Sequence, residues 1–188
     1  ETMPGAELTP DPGVDHGEVF TRRWVVEFIL DLVGFTADKD LGAQTLVEPS
    51  CGTGAFLLPI VERLVASSAA HSRDLRTLGS AISAFDLLDA NARLARKAVA
   101  QLLIEHGLDD EEAGTLVRGW VTTGDFLLYP HDRASVDYVI GNPPYVRQEL
   151  LGAEVKRALK ADYTAFDGMA DLYVYFYEQG LRLLKPGG

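Results

Sequence analysis

The chain has 188 residues, 47% of them apolar, a single cysteine and a net charge of −11. That is the length of one domain, with apolar content for a sizeable core; it excludes an internal disulfide, no apolar run reaches the roughly 18 residues a bilayer crossing needs, and no Cys/His cluster has metal-ligand spacing. An acidic body of this kind binds a phosphate backbone poorly by itself, so either its substrate is not a nucleic acid or the basic surface lies on a part beyond these residues.

Glu1 to Asp15 is polar and rich in proline and glycine, which reads as a flexible lead-in over residues 1–16, without the charged-then-apolar pattern of a signal peptide. Thr21 to Phe35 has helical spacing, with Trp24, Val25, Phe28, Ile29 and Leu32 on one face. Thr45 to Glu48 is a strand entering a glycine turn. Ala55 to Ala70 is a helix that turns Leu57, Ile60, Val61, Leu64 and Val65 inward, and Pro59 is tolerable near its first turn. Ser72 to Gly79 connects to a short strand, Ala81 to Phe85, ending at Asp86. Asp89 is placed to cap the next helix, which runs to about His106 with Leu94, Val99, Leu102 and Leu103 as its apolar face. Asp109 to Gly114 reads as an acidic loop and Leu116 to Thr122 as a strand leading to Gly124-Asp125-Phe126. Val136 to Ile140 is the next strand. Leu151 to Asp162 reads as a mobile helix with a charged face, and Asp171 to Leu184 as an apolar helix.

Strands alternating with helices predict an α/β fold with a doubly wound, mainly parallel sheet. In such a sheet, functional residues gather at the carboxyl ends of the strands. Glu48, Asp86, Asp125 and Asn142 each fall at such an end. Pro186-Gly187-Gly188 is a turn signal that ordinarily leads to a further strand. The sheet is therefore expected to be incomplete at its C-terminal side, with an edge covered by the rest of a parent chain or by a partner.

Two segments carry the chemistry. In Glu48-Pro-Ser50-Cys-Gly52-Thr-Gly54-Ala-Phe56, the glycines let the backbone pass close to a ligand, and the following helix offers free N–H groups. Any strand-to-helix turn of an α/β protein could hold a lone Gly-x-Gly; the longer string is more specific. Asp86 could bridge ribose hydroxyls or cap a helix. Asp125 could accept from the exocyclic amine of an adenine with Phe126 packed on the ring, or be a turn aspartate beside a core phenylalanine. Asn142-Pro143-Pro144-Tyr145 suits methylation of an amino nitrogen whose lone pair is delocalised into a ring. The Asn142 side-chain oxygen and the Pro143 carbonyl can grip its two N–H groups, the prolines fix that carbonyl, and Tyr145 can stack on the base. The four histidines read as solvated surface residues, Cys51 as a packing residue, and the stripe Leu172, Tyr173, Phe176, Tyr177 as core packing.

With these motifs in order, the chain resembles the class I S-adenosylmethionine-dependent methyltransferases from about Gly17 to Gly188. Within them it is similar to the gamma-type N6-adenine DNA methyltransferases, in the branch that includes single-chain restriction-modification and phage-defence methylases. The resemblance implies S-adenosylmethionine as cofactor. Phe20 and Thr21 would touch its methionine end, Glu48, Ser50, Gly52 and Gly54 would form its loop, Asp86 would take the ribose with Leu87 also at the cofactor, and Asp125 and Phe126 the adenine. Asn142, Pro143, Pro144 and Tyr145 would be catalytic, with no metal. It further implies DNA as partner, contacted through a target-recognition domain absent from these residues, and a cytoplasmic location with no membrane. Arg22 stands where the family has proline, which leaves the leading segment less rigid. Two other readings remain. One is a protein glutamine N5-methyltransferase, since a carboxamide nitrogen poses the same electronic problem. The other is a non-catalytic fragment that binds cofactor or a partner.

Overall fold

The computed structural model describes residues 21–165 and 170–188. The lead-in expected over residues 1–16, and Phe20, lie outside them. Helix α1 (Arg23–Leu32) is followed by β1 (Leu46–Glu48), α2 (Leu57–Ala70), β2 (Ile82–Asp86), α3 (Asp89–Glu105), α4 (Asp110–Trp120), β3 (Val121–Thr123), β4 (Tyr138–Val139), α5 (Ala153–Asp162) and α6 (Tyr173–Leu183). The strands form one parallel sheet in the order β3-β2-β1-β4. The chain winds outward from β1 through β2 to β3, then returns to the other flank of β1 as β4. The order thus reverses between β1 and β4, where an open α/β sheet leaves a crevice at its carboxyl ends.

Side chains alternate between the two faces of a strand, and the sheet has two cores accordingly. Leu46, Ile82, Ala84 and Val121 join the larger core with Val26, Leu30, Ile60, Leu64, Val99 and Trp120. Val47 and Phe85 point the other way, into a smaller core with Phe126, Leu159, Tyr175, Phe176 and Leu183. The doubly wound α/β expectation therefore holds.

Several elements differ from the sequence reading. On α1 the buried residues are Val26 and Leu30, while Trp24, Phe28 and Leu32 are exposed. A helix apolar on most of its circumference does not announce its inner face. Val26 and Leu30 pack with Ile60 and Leu64 in the larger core, and beside them Arg63 of α2 holds Glu27, Nη2 to Oε2 at 2.7 Å, and donates to the Phe35 carbonyl. Leu94 is likewise exposed, and α3 turns Ala92, Ala95, Val99 and Leu103 inward. Small residues are needed there because the glycine turn passes close by: a Cβ on Gly54 would sit 3.8 Å from the Ala95 Cα.

The expected acidic loop is the start of α4. Asp109 accepts from the Glu112 amide at 2.8 Å while the Glu112 carboxylate accepts from the Asp109 amide at 3.0 Å. This reciprocal capping box satisfies two backbone donors that a helix start would leave open. The helix runs to Trp120, so the strand expected from Leu116 shrinks to β3. Beyond α6 the chain begins to line β4: Val136 and Leu184 form a parallel bridge, and the Lys185 amide donates to the Val136 carbonyl at 2.9 Å. That edge is thus partly paired, while the sheet as a whole stays open.

Candidate active site

Three acids and one amide stand at the carboxyl ends of the strands. Glu48 closes β1 and is 0% exposed, and neither carboxylate oxygen has a hydrogen-bond partner among the described residues. Burial, with the nearby Asp86 charge adding to it, raises its pKa well above the ordinary carboxylate range. A buried acid without donors is costly to a fold, so its presence points to a ligand that brings them.

The turn that follows is shaped for close approach. Gly52 (φ +52°) and Gly54 (φ +105°) occupy the left-handed region that L side chains rarely adopt, and a Cβ on Gly52 would meet nothing within 4 Å. Ser50 and Thr53 are half-buried in the same turn. Cys51 is buried, and burial pushes its thiol up, so it is a packing residue rather than a nucleophile.

Asp86, at the end of β2, is engaged by two backbone amides. Its Oδ2 accepts from the Gly52 amide at 2.8 Å and its Oδ1 from the Leu88 amide at 2.9 Å. Sitting two residues before the Leu88 amide, Asp86 is within reach of the α3 entry and closes it there. Asp89 is instead the first residue of α3, where its charge favours the helix N-terminus and pairs with Arg93. One carboxylate thus joins the β2 end to the glycine turn. Leu87, beside it, is exposed.

Asp125 follows β3. Burial raises its carboxyl pKa, partly offset by the Leu127 and Leu128 amides, and Oδ1 accepts from the Leu127 amide at 2.9 Å. The Phe126 ring is buried between Phe85 and Phe176, with centroids 5.6 Å from each. It backs the Asp125 turn as part of the smaller core.

Across the switch point, β4 runs into Gly141-Asn142. The Ile140 amide donates to the Val47 carbonyl at 2.9 Å, and a Cβ on Gly141 would lie 3.2 Å from Pro49 Cδ and 3.5 Å from Glu48 Cγ. Glycine is what lets the tetrapeptide root lie against the end of β1. The Asn142 Nδ2 donates to the Thr21 hydroxyl at 3.2 Å, a contact between residues 121 positions apart. With its NH2 engaged, the side chain keeps its oxygen as the remaining acceptor. Tyr145 is 58% exposed at the tip of the loop. Its ring lies 6.1 Å from that of Tyr173, which lies 5.9 Å from that of Tyr177. Tyr177 is exposed and Tyr173 half-buried, so the stripe read as core packing is split between the core and this surface. Helical spacing put these residues on α6, but only the folded chain shows which side faces the tetrapeptide.

The donor set discriminates between ligands. A glycine turn before a helix suits phosphate, but Glu48, Asp86 and Asp125 would repel it. The same three acids suit a small molecule with an ammonium group, a pair of hydroxyls and an amine. S-adenosylmethionine has these, and the orphaned Glu48 carboxylate and the open space over Gly52 fit it. Among the described residues no His/Cys/Asp/Glu group could hold a metal ion, and no helix is long and apolar enough to cross a membrane.

The parallel sheet with its reversal at β1/β4 is the fold of the S-adenosylmethionine-dependent methyltransferases. It matches a putative class I S-adenosylmethionine-dependent methyltransferase from Listeria monocytogenes (TM-score 0.58, 20% identity, 94% of this chain and 46% of that one). It also matches a modification subunit of a putative type I restriction enzyme from Vibrio vulnificus (TM-score 0.55, 21% identity, 91% and 31%). By sequence, the Eco57I restriction-modification methylase profile matches residues 75–188, and the chain belongs to that family. Relatives include the Type II methyltransferases M.XhoI of Xanthomonas vasicola (46% identical, 93% of this chain) and M.PaeR7I of Pseudomonas aeruginosa (42%, 96%). The chain spans 32% of the length of each of these two.

Proposed function

We propose that this chain is the catalytic module of a cytoplasmic, site-specific DNA adenine N6-methyltransferase of a restriction-modification or phage-defence system. The observation that carries the reading is the position of Asn142-Pro143-Pro144-Tyr145 just past the carboxyl end of β4, next to Gly141, which lies against the orphaned Glu48, with Asn142 bonded to Thr21. S-adenosylmethionine, when bound, supplies an electrophilic methyl group on a sulfonium sulfur.

The chain's own residues do the rest. Glu48 accepts from the cofactor's ammonium group, which satisfies its buried oxygens. Asp86 takes the ribose hydroxyls, beside Leu87, and Asp125 accepts from the cofactor's exocyclic amine. The target adenine stands outside the duplex. The Asn142 oxygen and the Pro143 carbonyl accept from its two N–H groups and draw the lone pair out of the ring. The fixed φ of the two prolines holds that carbonyl in place, so little reorganisation accompanies reaction. Tyr145 stacks on the base, and the two reacting atoms are brought into line. Duplex contacts come from regions beyond this chain, because a net charge of −11 gives it little affinity for phosphates.

The test is methyl transfer by the intact protein to unmethylated plasmid DNA, followed by nucleoside analysis. The expected product is N6-methyladenine. Asn142→Ala should lower turnover by about 10²–10³-fold with cofactor affinity retained in calorimetry. Methylated cytosine as product, or methyl transfer to a glutamine peptide and not to DNA, would refute the proposal.

A further inference from the structure

Beside Tyr145, two further rings on α6 form a surface that the reaction above does not use. Tyr145, Tyr173 and Tyr177 follow one another at centroid distances of 6.1 and 5.9 Å, the first pair tilted by 48° and the second edge-on at 89°. The main chain fixes this arrangement. The Leu172 amide donates to the Val146 carbonyl at 3.0 Å, tying the start of α6 to the residue after Tyr145. On its other side α6 is seated in the smaller core through Phe176 and Leu183. Tyr177 is 64% exposed, so its ring contributes little to that core.

Two physical arguments select the occupant. Rings turned by 48° and 89° to one another cannot follow the parallel bases of a stack, which rise by about 3.4 Å. The surface therefore suits nucleotides already drawn out of a stack rather than an intact duplex. Stacking on tyrosine is also tolerant of base identity, because every base has a π-face. Phosphate contacts are left to regions beyond this chain, and the rings act only on bases already drawn out.

Building on the adenine methyltransferase reading, we infer that Tyr173 and Tyr177 extend the Tyr145 stacking surface and hold target-strand nucleotides out of the duplex. Tyr145 serves the target base, and Tyr177 serves a nucleobase next to it in the strand. Tyr177 is a substrate-contact residue that acts on binding and leaves the methyl-transfer step alone.

The experiment uses the intact protein and its Tyr177→Ala and Tyr177→Phe variants, with unmethylated plasmid DNA as acceptor. Losing one stacked base should raise the KM for DNA by about five- to hundredfold in Tyr177→Ala, with kcat and cofactor affinity unchanged. Tyr177→Phe, which keeps the ring, should restore the wild-type KM. An unchanged KM in Tyr177→Ala overturns the inference, and with a lowered melting temperature it would make the ring a packing residue. Failure of the phenylalanine to restore KM also overturns it, since the hydroxyl and not the ring would then matter. In each of these cases the wild type still makes N6-methyladenine, so the functional reading survives. A wild type that methylates no DNA removes both.

Discussion

Replacing Glu48 by glutamine should stabilise the cofactor-free protein while weakening its hold on the cofactor. The carboxyl is fully buried, has no hydrogen-bond partner among the described residues, and is raised well above its ordinary value of 4.5 by burial and by Asp86. A folded acid with a raised pKa keeps its proton to a higher pH than the unfolded chain does. Its contribution to stability is complete below pH 4.5. It is lost as pH rises toward the folded value, at up to about 1.4 kcal/mol per pH unit. Glutamine does not titrate and escapes that loss. Its amide still lacks partners, at a cost of about 1–3 kcal/mol, against several kcal/mol for an uncompensated buried charge. The net gain near pH 8 is therefore about 1–3 kcal/mol, or roughly 2–12 °C in melting temperature. Thermal unfolding of the cofactor-free protein across pH would show the two melting curves diverging as pH rises. Calorimetry with S-adenosylmethionine should show weaker binding by the variant. A Glu48→Gln protein that melts below wild type at every pH, with a parallel pH profile, would show that the carboxylate is compensated in the free protein.

Gly141→Ala places a methyl 3.2 Å from the rigid Pro49 ring. It should cost about 1–3 kcal/mol and lower methyl transfer more than cofactor affinity, because the tetrapeptide moves; kinetics and calorimetry on one preparation would separate the two, and wild-type turnover would remove Gly141 from the account. Asp109→Ala breaks the capping box. It should lower stability by about 1 kcal/mol in urea unfolding with methyl transfer intact, and an unchanged midpoint would mean that α4 is held by packing alone.

The strand-end residues were legible in the sequence because each of Glu48, Asp86, Asp125 and Asn142 ends or follows an apolar strand, and in a parallel sheet those ends meet. Helix α4 was not. Four consecutive acids from Asp109 look like a solvated loop, yet Asp109 and Glu112 are three apart and Ala113, Leu116, Val117 and Trp120 follow at helical spacing. The α3 face was misread at Leu94, which hydrophobicity favours but which is exposed, and at Ala92 and Ala95, where close approach to the glycine turn demands small residues; Val99, Leu102 and Leu103 do pack on the core. The Thr21–Asn142 contact left no local signal at all. It joins segments 121 residues apart and exists only once β4 has been laid beside β1.

The opposite end of that strand pair has its own consequence. Asp137 accepts from the Thr45 amide at 2.8 Å and from the Lys185 ammonium at 2.9 Å, fastening β1, β4 and the segment after α6 at their amino-terminal feet. Among the described residues, Leu46–Tyr138 and Val47–Val139 pair above this knot, and the Ile140 amide adds one bond to the Val47 carbonyl. The Asn142 loop therefore stands on a short lever anchored at the far side of the sheet, and a change at Asp137 or Lys185 would swing Asn142 from a distance.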